Sequence, residues 1–157
     1  MFDTRESKDR LSCTVSSEAQ MVDRVLTEIR RFLAAWKVTE DHRLSLVVRE
    51  LLLNAIVHGN GNEPDRRVRF ELQHLRDRQF KITVEDEGSG FDYRSVNMEL
   101  PDDPRLLRQR GYILIKSLSE QLSFNSRGNC VTATMNLSPP VGGASHHTTT
   151  REYAPIL

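Results

Sequence analysis

Arg49-Glu50-Leu51-Leu52-Leu53-Asn54-Ala55-Ile56-Val57-His58-Gly59-Asn60 is the stretch on which the fold turns. It reads as the second half of a helix over residues 39–58, with Thr39 as N-cap and Glu40 and Asp41 in the first turn, where the helix dipole favours acids. Gly59 is a natural stop. From Leu44 onward most residues are apolar, and a helix apolar on most sides is packed on most sides. Glu50, Asn54 and His58 fall at i, i+4 and i+8, one slowly drifting line along a single face. A carboxylate and an amide set in such a helix are costly unless something satisfies them. Three explanations stand: a helix edge that reaches solvent, Glu50 paired with a nearby arginine, or a site.

At 157 residues the chain reads as one domain with a real hydrophobic core. Lys and Arg number 22 against 22 Asp and Glu, so no strong field draws it to nucleic acid or anionic lipid. Cys13 and Cys130 both fall in expected strands and read as buried, reduced thiols. The start of the chain lacks the apolar core of a signal peptide, and no apolar run approaches membrane-spanning length. A soluble cytoplasmic protein is expected.

Residues 1–10 are polar and read as a flexible N-terminus. Leu11-Ser12-Cys13-Thr14-Val15 alternates as an edge strand. Ser17 with Gln20 resembles a capping box opening a helix to about Trp36, with Met21, Val22, Val25, Leu26, Ile29, Phe32 and Leu33 as a core stripe. Residues 59–66 form a loop. Two alternating strands follow, burying Val68, Phe70 and Leu72, then Phe80, Ile82 and Val84, with a turn at Arg76-Asp77-Arg78. By the same parity the Asp86 carboxylate points to the core side and needs a donor.

Asp86-Glu87-Gly88-Ser89-Gly90-Phe91-Asp92 offers positive φ and close backbone approach to a ligand; equally, Asp86 could cap its own turn. Residues 93–108 make a connection long for a compact domain. Gly111 then precedes an apolar helix over 111–120, with Arg105, Arg108 and Arg110 just upstream. Such a helix start suits an anion, although an ordinary charged loop would look the same. Leu122 and Phe124, then Val131, Ala133, Met135 and Leu137, mark a hairpin turned at Ser126-Arg127-Gly128-Asn129. Residues 138–157 have the composition of a disordered tail.

Taken together the blocks resemble the ATP-binding domain of the GHKL (Bergerat-fold) superfamily, and most nearly the anti-sigma factor serine/threonine kinases. Glu50-x-x-x-Asn54-x-x-x-His58-Gly59-Asn60 matches the N-box. Asp86-x-Gly88-x-Gly90-Phe91-Asp92 matches the first glycine box, and Arg110-Gly111-Tyr112-Ile113-Leu114-Ile115 part of the second. The likeness covers residues 11–137, taken as the ATP-binding domain. Two positions depart from the family pattern. Gln109 stands where the second glycine box usually has its first glycine, and Asn129-Cys130 stands where many relatives carry threonine near the adenine.

The resemblance implies a two-layer α/β (α+β) sandwich, a mixed, mostly antiparallel sheet covered on one face by three helices. It implies ATP and Mg²⁺, with Asn54 holding the metal and Glu50 orienting or deprotonating the attacking hydroxyl. Asp86 would accept from the adenine amino group, and Gly88 and Gly90 would let the chain pass close to the nucleotide. His58 is counted with the nucleotide-binding residues through the N-box. Residues 101–111 would form a lid in which Gly111 meets phosphates and one of Arg105, Arg108 or Arg110 neutralises the γ-phosphate. Implied partners are a STAS-type anti-sigma factor antagonist as phosphoacceptor, a sigma factor, and a second copy of the chain. Neither nucleic acid nor membrane is implied. The alternative function is a non-catalytic module in which nucleotide occupancy biases which partner is held.

Overall fold

The computed structural model describes residues 1–39, 41–95 and 107–138, apart from the side chains of 107–109. Its centre is a hairpin of two alternating strands, β3 (Arg67–Arg76) and β4 (Gln79–Asp86), in register Phe70 to Val84 and Leu72 to Ile82. Val68, Phe70, Leu72, Phe80, Ile82 and Val84 are all buried, as the alternation requires. Each such side chain contributes roughly 1.5–3 kcal/mol relative to exposure. Asp77 turns the hairpin at φ 46°, a left-handed conformation that Asp tolerates.

Outward from β3 lie β2 (Arg10–Ser16) and then β1 (Phe2–Glu6); outward from β4 lie β6 (Cys130–Asn136) and then β5 (Gln121–Phe124). Every pairing in this six-stranded sheet is antiparallel. The α+β sandwich stands, but the expected mixed sheet is corrected, because each strand meets its neighbour head to tail. The expectation of a loose start is corrected too. Phe2 pairs with Val15 and packs against the core under the Arg24 guanidinium, 4.1 Å from its ring centre. β1 is therefore the edge, and the Leu11–Val15 stretch lies inside it.

Three helices cover the apolar face. α1 (Met21–Ala34) buries all seven residues of its expected stripe. It starts later than the Ser17–Gln20 pattern suggested, because Ser17 donates its hydroxyl to the Arg66 carbonyl at 3.0 Å instead of capping the helix. α2 (His42–Leu53) is capped by Asp41, not Thr39: Asp41 Oδ1 accepts from the N–H groups of Arg43 at 3.0 Å and Leu44 at 3.2 Å. A π-helical turn, Asn54–Gly59, continues α2. α3 (Leu107–Leu118) packs on α2 and places Tyr112 and Ile115 in the core. The tail after Ser138, expected to be disordered, lies outside the described residues.

Candidate functional site

The organising stretch changes its winding at Asn54. Up to Leu53 the chain is α-helical; from Asn54 to Gly59 it is π-helical, closed by Asn60 N–H donating to the Ala55 carbonyl five residues back at 2.8 Å. Such wide turns recur at functional sites. The wider turn breaks the expected line of Glu50, Asn54 and His58. His58 is exposed, whereas Asn54 is only 5% exposed and Glu50 is half-buried.

Glu50 and Asn54 meet over Gly111. A Cβ built on Gly111 would lie 2.8 Å from Glu50 Oε2, 3.6 Å from Asn54 Nδ2 and 3.9 Å from Asn54 Oδ1. The carboxylate and the amide thus border one small space that a glycine keeps open. Asn54 Nδ2 is buried without a hydrogen-bond partner among the described residues. Leaving a buried amide end unmatched costs about 1–3 kcal/mol, so the fold tolerates a deficit at this point.

Gly111 itself is a correction. It was expected just before a helix, with its amide at a free N-terminus, but α3 begins at Leu107 and Gly111 lies inside it. Its amide is therefore not at a free helix end, and it packs closely against Glu50 and Asn54 of the neighbouring helix. Among the arginines, Arg110 lies on the exposed side of α3. Arg105 and the side chain of Arg108 lie outside the described residues, as does most of the expected lid, 101–106.

The second cluster forms where the π-helical turn ends. Asp86, the last residue of β4, is 7% exposed and faces the core side as its parity predicted. Its Oδ1 accepts the Gly88 N–H at 2.8 Å, so the carboxylate does brace its own turn. Gly59 packs directly on this carboxylate, and any Cβ there would collide with it. Gly88 in turn packs on the Gly59 carbonyl, with no room for a side chain. Gly90, at φ +83°, passes against the Arg127 carbonyl of the hairpin turn. Glu50 and Asn54 therefore stand at one end of the six-residue π-helical segment and Asp86 at the other.

Several residues that hold this arrangement were not singled out as functional by sequence reading. Asn129 accepts the Asp86 N–H on its carbonyl at 2.9 Å and donates its side-chain amide to the Asp86 carbonyl at 2.8 Å. Asn129 thus spends its side-chain amide on fixing Asp86. Asn125 Oδ1 collects the N–H groups of Gly128, Asn129 and Cys130 and shapes the turn. Phe91 stacks on Tyr112, with centroids 5.3 Å apart, and meets Phe124 edge-on at 5.6 Å, tying the glycine-rich segment to α3 and β5. Phe91 and Tyr112 sit inside the quoted motifs, but nothing in a linear pattern says that they touch.

Two cavities of about 520 and 500 Å³ are not lined by Glu50, Asn54 or Asp86. The site is marked instead by its unmatched amide and glycine packing, and residues 96–106, which follow the glycine-rich segment, are not described. Among the described residues no three His, Cys, Asp or Glu side chains gather as a metal site. Magnesium asks for less, keeping waters and substrate phosphates as ligands beside one or two protein oxygens. Among them, too, no helix is long and apolar enough to cross a membrane.

Comparison with known proteins gives three findings. The chain is 29% identical over 139 residues to the anti-sigma F factor of Oceanobacillus iheyensis, covering 83% of this chain and 94% of that one. It is similar at 24% identity and a TM-score of 0.46 to the histidine kinase domain of the Erythrobacter litoralis EL346 blue-light activated histidine kinase, covering 60% of this chain and 43% of that one. The model of the histidine kinase-like ATPase domain matches residues 15–135. That match spans most of the molecule and both clusters of the site, and the chain belongs to the histidine kinase-like ATPase domain family.

Proposed function

We propose that the chain is an ATP-binding anti-sigma factor with serine/threonine protein kinase activity, acting on a STAS-type antagonist protein. The observation that carries this is the Asn54 amide, buried and unmatched beside the Glu50 carboxylate in a space that only a glycine leaves open. An amide oxygen is a hard ligand suited to Mg²⁺, and a half-turn about the terminal torsion can present either end of the side chain. The ion, when bound, would neutralise charge on the phosphate oxygens. Glu50 would accept the proton of the attacking hydroxyl, Asp86 would take the purine amino group, and the glycines would keep the walls close to the nucleotide. Likeness to an anti-sigma F factor over nearly its full length supports the partner class.

A second reading is a non-catalytic module in which nucleotide sets the choice of partner. It is favoured by Gln109 and by the placement of Gly111 within α3, which removes one expected phosphate-binding amide.

Titration with Mg·ATP and Mg·ADP, followed by transfer of γ-label to an antagonist from the source cell, separates these. Asn54→Ala is expected to abolish Mg·ATP binding while changing stability by less than about 1 kcal/mol, because it removes a group already unsatisfied. Glu50→Ala is expected to keep binding and lose transfer. Saturable binding with no label passed on by the unaltered chain leaves the second reading, and no binding at all removes both.

A further inference from the structure

A groove of about 520 Å³ lies between the end of α1 and the start of α2, at the other end of α2 from Asn54. Its floor is apolar, made by Leu33, Val38 and Leu44, all buried, with Ala34 beside them. Two cations, Arg30 and Lys37, line it as well. The one described carboxylate in the lining, Asp41, is already engaged by the Arg43 guanidinium at 3.2 Å and the Ser138 N–H at 3.0 Å. Neither Arg30 nor Lys37 has an ion-pair partner among the described residues, and the Arg30 guanidinium bonds only the Thr27 hydroxyl at 3.2 Å. Glu40 lies outside the described residues.

Lys37 is a second, independent signal. Its φ is 53°, and it occupies the position after α1 where Lys37 N–H returns to the Ala34 carbonyl at 3.1 Å and Val38 N–H to the Leu33 carbonyl at 3.2 Å. Glycine suits that place, since a side chain there is strained. Strain held against a better alternative is found where a side chain has a task. Here the strained residue is one that lines the groove.

We propose that this groove binds an aliphatic carboxylate, its chain laid on Leu33, Val38 and Leu44 and its carboxyl group between Lys37 and Arg30. The volume is in the range of small-molecule sites, roughly 300–1,000 Å³. The charge selects an anion, and the floor selects a hydrocarbon over a sugar or nucleotide. Nothing in this inference depends on nucleotide binding.

The test is titration of the full chain with decanoate, decanol and decylamine below micelle formation, followed by backbone amide NMR shifts. Decanoate should give saturable shifts at Leu33, Ala34, Val38 and Leu44, with decanol at least about fivefold weaker, the scale of one charge-assisted contact. Lys37→Gly should weaken decanoate by about fivefold yet raise Tm by about 2–4 °C as the strain is relieved, so lost binding cannot be blamed on unfolding. Arg30→Gln should weaken it similarly, while Lys37→Arg and Asn54→Ala should not. Absence of saturation, equal response to decanol, or indifference to both Lys37→Gly and Arg30→Gln overturns the proposal. So does an acidic peptide that binds the groove when decanoate does not.

Discussion

Asn60 Oδ1 accepts the backbone N–H of Glu87 at 2.9 Å, locking the residue after the π-helical turn to the residue after Asp86. The same fully buried side chain donates Nδ2 to Ser17 Oγ at 2.7 Å and to the Arg67 carbonyl at 2.8 Å. One amide thus joins the exit of β2, the start of β3 and the end of β4. Its loss leaves several buried polar groups unmatched, each costing about 1–3 kcal/mol. Asn60→Ala is expected to lower stability by about 3 kcal/mol in urea unfolding. A loss below about 1 kcal/mol would mean that water takes over these bonds.

Gly88 and Gly111 are both closely packed, but against different things. A Cβ at Gly88 meets the Gly59 backbone carbonyl and, at 2.8 Å, Asp86 Oδ1, neither of which can retreat without moving the frame. Gly88→Ala should therefore cost about 1–3 kcal/mol. A Cβ at Gly111 meets Glu50 Oε2 first, at 2.8 Å, the end of a flexible side chain. Alanine also favours a helix interior over glycine by about 1 kcal/mol. Gly111→Ala should thus keep or raise stability while displacing Glu50, lowering phosphoryl transfer at least about tenfold if Glu50 is the base. Thermal melts beside transfer assays check the contrast, and equal loss of stability in both variants would defeat it.

The sheet and the helix stripes could be read from the sequence because burial imposes a period on each: Val68, Phe70 and Leu72 on one face, Met21 to Leu33 along one stripe. The same parity placed Asp86. Details that depend on distant partners could not be read. Ser17 looked like a cap because only the neighbouring residues were visible, whereas its bonds go to Asn60 and Arg66. Gly111 looked like a helix entrance because α3 begins among polar residues with no stripe of their own. The π-helical turn leaves no mark in residue type, so the face carrying Glu50 and Asn54 was extended to His58 by one turn too many.

Cys13 should be inert in the native protein. Burial pushes its thiol up to about 12, and the carboxylates of Glu28 and Asp3 add to the effect. The thiolate is the nucleophile, so at about pH 8.5, where a free cysteine is half ionised, native Cys13 is almost wholly neutral. Cys130 is also raised, first by burial and then by Glu85 and Asp86, but it is only half-buried. Iodoacetamide labelling read by mass spectrometry should modify Cys130 first, with Cys13 at least about 100-fold slower than in urea. Equal native rates would show that β2 opens readily.

Asp41 links the start of α2 to the end of the sheet, and its titration should be visible in stability. Burial alone would raise its pKa, but the Ser138 N–H, the Arg43 side chain and the Leu44 N–H outweigh that, and the carboxyl titrates below its ordinary value. With the folded value depressed, the unfolded chain binds more protons between the two values, so stability falls as pH falls through that window. The contribution is complete above the unfolded carboxyl value of about 3.9 and is lost below the folded one. Asp41→Ala should therefore cost about 1–2 kcal/mol at neutral pH, as for other N-caps. The gap between variant and unaltered chain should then narrow as pH is lowered past about 3.9. Urea unfolding of both proteins across that range measures the gap directly. A gap that stays constant down to the folded value would assign the cost to lost packing, since only the ionised carboxylate can accept all of these hydrogen bonds at once.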